Sequence, residues 1–308
     1  SSAASDVYKR QLQGNRSLRP YLVVASMNNT ARINAEEHKY WNSDSADYWV
    51  SQKTALDQFL EPWTRLLVGA AQLSGGEQIA DIGCGTGATT IKFAASVGTG
   101  GRVTGIDLSR KLIDSAISSA RERAIENVMF VEADAAEYRF PCPQDLIVSR
   151  CGVMFFGDLV AAFSHLRSGL ARAGRMLLVV WRAPEQNEWY QFPVRCAAAF
   201  SDQEPKHDPD APGAFTLADP SKVKQILVSA GFRNIQLRAV TEKLCVGQTV
   251  KSAAELFMAM GTIRNLLDGA DVELLDQVKC HMSQGLEAYR QESGVYMNGT
   301  CWLVHASA

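Results

Sequence analysis

The 308-residue chain carries 31 Lys and Arg against 33 Asp and Glu, a formal net charge of −2, and is 46% hydrophobic. That is an ordinary globular composition, with apolar material for one large domain or a domain with an elaborate cap. No long Lys/Arg block follows residue 20 and no run of 18 apolar residues occurs, which argues against a general nucleic-acid footprint and against a membrane span.

The first 26 residues carry four basic residues against one acid and lack an initiator Met, and Met27 follows them. They read as a non-native or targeting leader, outside the fold. Residues 32–72 read as helical, with Trp49, Leu56, Phe59, Leu60, Trp63, Leu66 and Leu67 near one face and Pro62 as a kink or a new start. Residues 27–75 are therefore taken as an N-terminal helical cover. Strands and helices then alternate. Strands are expected at 79–82, 102–106, 128–132, 146–149 and 175–181, and helices at 88–96, 110–124 and 159–170. This β-α rhythm predicts a parallel sheet with helices on both faces over a core of 76–182. In residues 183–308 the sequence predicts a helix near 187–200 and a polar, proline-rich loop at 202–216. A helix stopped by Gly231, a strand at 234–240, helices near 251–267 and 271–290, and a closing strand follow. That last region is expected to hold the substrate cap and the C-terminal part of the sheet.

Seven cysteines are scattered with no C-x-x-C pair. This speaks against a disulfide framework and a zinc site, and no metal is expected. Their distribution favours a reducing compartment, so a cytoplasmic location is expected, or an organelle if the leader is a transit peptide.

The chemistry concentrates in IADIGCGTGATT, residues 79–90, where Gly83, Gly85 and Gly87 alternate directly after an apolar run. Glycines after a strand let a ligand approach the backbone and let the chain turn sharply into a helix. Gly83-x-Gly85-x-x-Ala88 also satisfies the dinucleotide fingerprint, with Asp107 placed 24 residues beyond Gly83 to hold ribose hydroxyls. An NAD(P)-dependent oxidoreductase is thus an alternative. Charge favours another cofactor. Asp81 near the turn would repel a pyrophosphate, whereas S-adenosylmethionine carries a sulfonium and an ammonium. Asp107 would accept from both ribose hydroxyls, and Asp134, after the third strand, from the adenine amine.

IADIGCGTG, GIDLS, FVEADA and the stretch from Leu146 to Trp181 resemble the class I S-adenosylmethionine-dependent methyltransferases. The branch is similar to the ubiquinone/menaquinone C-methyltransferase group. The resemblance runs from about residue 40 to the end and departs from the family at Arg172-Ala173-Gly174, where a proline is missing before strand five. It implies an α/β, Rossmann-like, seven-stranded, mostly parallel sheet whose last strand is antiparallel and inserted beside the fifth. It implies that Gly83, Cys84 and Gly85 approach the methionine end. Asp107 and Leu108 would hold ribose and adenine, and Asp134 and Ala135 would flank the adenine. Ser149 and Arg150 would face methionine or substrate, with Tyr40, Trp41, Trp49 and Gln52 as cover.

Such a reaction needs orientation and exclusion of water more than a catalytic triad. Arg150, Tyr40 and His38 are the catalytic candidates, and His207 lies in the 202–216 loop, a possible lid. Trp181, Trp189, Tyr190, Phe192, Phe200, Phe257 and Met258 are candidates for an apolar acceptor pocket. The expected partner is a small molecule. A scaffold that binds S-adenosylmethionine without transferring methyl is a further alternative.

Overall fold

The computed structural model describes residues 29–201, 203 and 211–308. The expected leader, Met27 and His207 lie outside them. Three helices come first: α1 (Asn29–Trp41), α2 (Asp44–Ser51) and α3 (Lys53–Ala70). Helix α3 runs through Pro62 rather than restarting there. A mid-helix proline costs about 3 kcal/mol. Its neighbours Phe59, Leu60, Trp63 and Leu67 are all buried in the main core, each worth about 1.5–3 kcal/mol, so packing outweighs the lost hydrogen bond.

The alternating core follows as β1 (Gln78–Ile82), α4 (Ala88–Ser96), β2 (Arg102–Asp107), α5 (Arg110–Glu122), β3 (Val128–Glu132), β4 (Gln144–Arg150), α6 (Leu159–Ser168) and β5 (Leu170–Trp181). The last part contains α7 (Glu188–Ala198), α8 (Pro220–Ser229), β6 (Arg233–Gly247), α9 (Val250–Met258), α10 (Gly261–Leu266), α11 (Val272–Leu286), β7 (Arg290–Gln291) and β8 (Gly294–Ser307).

The sheet order is β3-β2-β1-β4-β5-β8-β6, with β7 paired to β8. Strands β1 to β5 pair in parallel, and β8 is antiparallel to both β5 and β6. The inserted last strand is as the resemblance implied, and the two-residue β7 is an eighth strand it did not include. The chain winds outward from β1 to β3, then returns to β4 beside β1. This reversal opens a crevice at the carboxyl ends of β1 and β4, where doubly wound sheets bind ligands.

Some boundaries differ from the sequence reading. Helix α6 ends at Ser168 and β5 begins at Leu170, five residues before the expected start. Leu170 pairs with Gln144, and a register shift between Gln144 and Leu146 absorbs the extra residues. Strand β6 extends to Gly247 because β8 continues to pair with it beyond Val240. The single helix expected over 251–267 is two, α9 and α10, and α11 stops at Leu286 before a short 3-10 turn.

Candidate cofactor and acceptor site

The glycine turn is stitched to β2: the N–H groups of Gly83 and Cys84 both donate to the Ile106 carbonyl, at 2.9 and 3.0 Å. On its other side the turn touches the chain leaving β4. A Cβ on Gly83 would stand 2.8 Å from the Gly152 Cα, and one on Gly152 would stand 2.6 Å from the Ile82 carbonyl oxygen. No side chain fits between the two backbones at those distances. Ser149 closes this seam, its hydroxyl donating to the Ile82 carbonyl (2.7 Å) and accepting from the Gly152 N–H (3.1 Å). Gly85, at φ +55°, is different: a Cβ there would meet nothing within 4 Å, and the residue lines a cavity.

Asp107 ends β2. Its Oδ2 accepts from the Gly85 N–H (2.8 Å) and its Oδ1 from the Ser109 N–H (2.9 Å). Burial raises its pKa, and the hydrogen bonds from Ser109, Gly85 and Leu108 oppose that rise. Asp134 follows β3. Its Oδ1 accepts from the Ala136 N–H (2.8 Å), and its Oδ2 faces the Asn34 amide at 3.4 Å.

The helical cover is fastened to these turns. The Asn42 amide donates to the Leu108 carbonyl (3.1 Å), and its side-chain oxygen accepts from the Arg110 N–H (3.3 Å). The Trp41 ring meets Phe155 edge to face at 5.3 Å and Trp49 at 6.0 Å. Asn34 and Asn42 were not singled out in the sequence. An asparagine within or just after a helix has many bland uses, and only the fold brings these two beside the turns after β3 and β2.

One cavity of about 440 Å³ joins these features to an aromatic chamber. On the first side it is lined by Gly83, Cys84, Gly85, Asp107, Leu108, Asp134 and Ala135 under Tyr40, Trp41 and Trp49. The other side is formed by Phe59, Trp181, Trp189, Tyr190, Phe215 and Phe257, with Arg150, Arg264 and Tyr48 also on the wall. Trp181 and Trp189 lie 4.6 Å apart, and Tyr190 and Phe215 4.8 Å. Phe192, Phe200 and Met258 are not on this wall. Phe192 packs into the core on Tyr289 and Phe257, and Phe200 packs on His281.

Five other residues singled out in the sequence also lie off the wall. Asp81 is 1% exposed. Its Oδ2 accepts from the Thr90 hydroxyl at 2.7 Å, while its Oδ1 has no partner. Burial raises its pKa to about 7, with Thr90 and Arg150 opposing and Asp107 adding to the rise. Asp81 therefore sits behind the turn, not at its mouth, and the carboxylates on the cavity wall are Asp107 and Asp134. Ser149 is spent on the seam. Gly87 starts α4 and lies against Ala116 and Phe130. Gln52 is exposed at the α2–α3 junction, and His38 is exposed on α1. Arg150 does line the cavity. Its Nη1 donates to the Thr64 hydroxyl (2.8 Å), its Nε is unpartnered, and it faces Asp57, whose pKa burial raises and Arg150 lowers.

All seven cysteines are free. Among the described residues there is no metal-holding cluster and no helix long and apolar enough to cross a membrane.

The donor set on the first side suits an adenosyl cofactor. Asp107 keeps lone pairs for a ribose diol, Asp134 keeps an acceptor for an amine, and Gly85 allows close backbone approach. Two carboxylates there are a poor setting for a pyrophosphate. With the sheet order, this defines the class I methyltransferases that use S-adenosylmethionine. The chain belongs to the methyltransferase domain family, whose pattern matches residues 73–231.

Among curated proteins, aklanonic acid methyltransferase of Streptomyces sp. (strain C5) is 35% identical over 120 residues, which is 39% of this chain and 54% of that one. The chain thus spans about half the length of that relative. The ubiquinone/menaquinone biosynthesis C-methyltransferase of Shewanella piezotolerans is 26% identical over 190 residues, covering 58% of this chain and 76% of that one. Among solved structures, magnesium protoporphyrin IX methyltransferase from Synechocystis PCC 6803, with bound S-adenosylhomocysteine, aligns with a TM-score of 0.50 at 16% identity, over 90% of this chain and all of that one. That likeness is one of fold. None of the three is an oxidoreductase, so the dinucleotide reading of the turn finds no support among them.

Proposed function

We propose that the protein transfers the methyl group of S-adenosylmethionine to a small organic acceptor held in the aromatic chamber. The observation that carries this is the continuity of one cavity from the acid-lined glycine turn to the ring of Phe59, Trp181, Trp189 and Phe215. When bound, the cofactor supplies an activated methyl on a sulfonium. Asp107 holds the ribose hydroxyls, Asp134 takes the adenine amine, and Leu108 and Ala135 flank the base. Tyr40 and Trp41 roof this side, and the Gly83–Gly85 backbone receives the methionine end. Arg150, already engaged with Thr64 and Asp57, would meet the carboxylate of the methionine end through its unpartnered Nε. The chain's contribution is to orient the acceptor and exclude water, which suffices for an already activated donor.

The relatives named for aklanonic acid and for ubiquinone/menaquinone biosynthesis support an organic small-molecule acceptor. In this reading residues 27–75 cover the cofactor and 183–308 supply much of the acceptor wall. The unpaired thiols support a reducing, cytoplasmic setting. The test is calorimetry with S-adenosylhomocysteine and with NAD, followed by detection of S-adenosylhomocysteine release across a panel of aromatic metabolites. Binding of NAD without S-adenosylhomocysteine would overturn the cofactor assignment. Cofactor binding with no turnover on any acceptor would favour a non-catalytic scaffold.

A further inference from the structure

The acceptor side of the cavity holds no histidine and no carboxylate among the described residues that line it. The two carboxylates on the wall, Asp107 and Asp134, are tied to the turns after β2 and β3. What remains with charge are two guanidinium groups. Arg150 already faces Asp57 and Thr64. Arg264, on the short helix α10, lines the cavity from an exposed position and has no ion pair or side-chain hydrogen bond among the described residues, which leaves its guanidinium open to a ligand. Tyr48 is on the same cavity wall, within reach of the Arg264 charge. Burial raises the Tyr48 pKa and Arg264 only partly offsets this, so the phenol remains a donor at neutral pH.

This inventory constrains what the chamber can bind. A neutral alcohol needs a general base before it can attack a methyl group, and an acid that arrives ionised needs none. A guanidinium and a protonated phenol on one cavity wall supply N–H and O–H donors at neutral pH, a set that matches an oxyanion. The walls around them are aromatic.

We propose that the acceptor is an aromatic acid bound as its anion, with its charged oxygen group held by Arg264 and Tyr48 at the chamber wall. This rests on the methyltransferase reading above and names the substrate class for that same site. Arg264 acts as a specificity residue: it selects the anion, and the aromatic wall accepts the ring system.

The test uses two fluorescent probes of nearly the same shape, anionic 8-anilinonaphthalene-1-sulfonate and neutral N-phenyl-1-naphthylamine, titrated into the full chain saturated with S-adenosylhomocysteine. The sulfonate is expected to bind at one site, about tenfold or more tighter than the neutral probe. Arg264→Met should abolish that preference, leaving neutral-probe and S-adenosylhomocysteine affinities unchanged. Arg264→Lys should restore part of it, and Tyr48→Phe should lower sulfonate affinity a fewfold. Equal binding of the two probes, binding of neither, or a preference that survives Arg264→Met would overturn the proposal. If S-adenosylhomocysteine still binds in those cases, only the acid acceptor is refuted. If it does not bind the wild-type protein, the methyltransferase reading itself fails.

Discussion

Replacing Asp81 by Asn tests the electrostatics behind the glycine turn. The carboxyl is buried, with one oxygen bonded to Thr90 and the other unpartnered. An amide is nearly isosteric and keeps the bond from the Thr90 hydroxyl through its oxygen. Burial raises the folded-state pKa from 3.8 to about 7. Between those values the unfolded chain has lost the proton and the folded protein still holds it. Stability is therefore highest below the unfolded value and falls as pH rises toward the folded one, by about 1.4 kcal/mol per pH unit. From about pH 5 to about pH 7.5 the wild-type protein should lose roughly 2 kcal/mol that the Asp81→Asn variant keeps. Urea unfolding of both proteins at the two pH values reads this directly, as the change in their stability difference. A stability difference that is the same at both pH values would refute it, showing that Asp81 titrates normally in the fold.

Asp107→Asn should weaken S-adenosylhomocysteine binding by roughly 1.5–3 kcal/mol, the range for hydrogen bonds to a charged group, as read by calorimetry. An unchanged affinity in a folded variant would remove Asp107 from the cofactor. Gly152→Ala forces a Cβ to 2.6 Å from the Ile82 carbonyl, so both melting temperature and cofactor affinity should drop. A normal melting temperature would mean the seam has slack. Asn42→Ala removes the ties to Leu108 and Arg110, each worth about 1 kcal/mol. Cofactor affinity should fall several-fold along with a melting temperature lowered by a few degrees, and an unchanged affinity with the same drop would make the cover purely structural.

The β-α order of the core was readable because each buried strand is a short apolar run closed by a turn, and the acids after β2 and β3 stood out for the same reason. Asp81 was misplaced because β1 is buried on both faces. In Ile79-Ala80-Asp81-Ile82 both neighbours of the acid are apolar, so a period of two gives no sign of which face it takes. Thr90, on α4, decides that. The sequence reading ended a helix at Leu170 and began the next strand at 175, yet Leu170 already pairs with Gln144, a partner no local pattern displays. The resemblance supplied the position of the last strand, which hydropathy alone does not give. The acceptor wall was the least legible part. Phe59 lies some 150 to 200 residues along the chain from Phe215 and Arg264, and nothing local marks them as neighbours. Phe192 and Phe200 show the converse, being aromatics of a suitable kind that face the core.

Strand β8 carries a consequence for how the protein is made. It lies between β5 and β6, and it is the last strand in the chain. During synthesis from the N-terminal end, residues 170–181 can pair with β4 on one side while their other edge has no partner until residues 294–307 emerge. That edge is Met176-Leu177-Leu178-Val179-Val180-Trp181, an apolar segment with high strand propensity and no charge. Over that interval more than a hundred residues are translated, seconds at ordinary rates. The nascent chain thus presents an unpaired sticky edge for that time. Slowed translation or premature termination within residues 182–293 should therefore yield insoluble product, not a smaller folded domain.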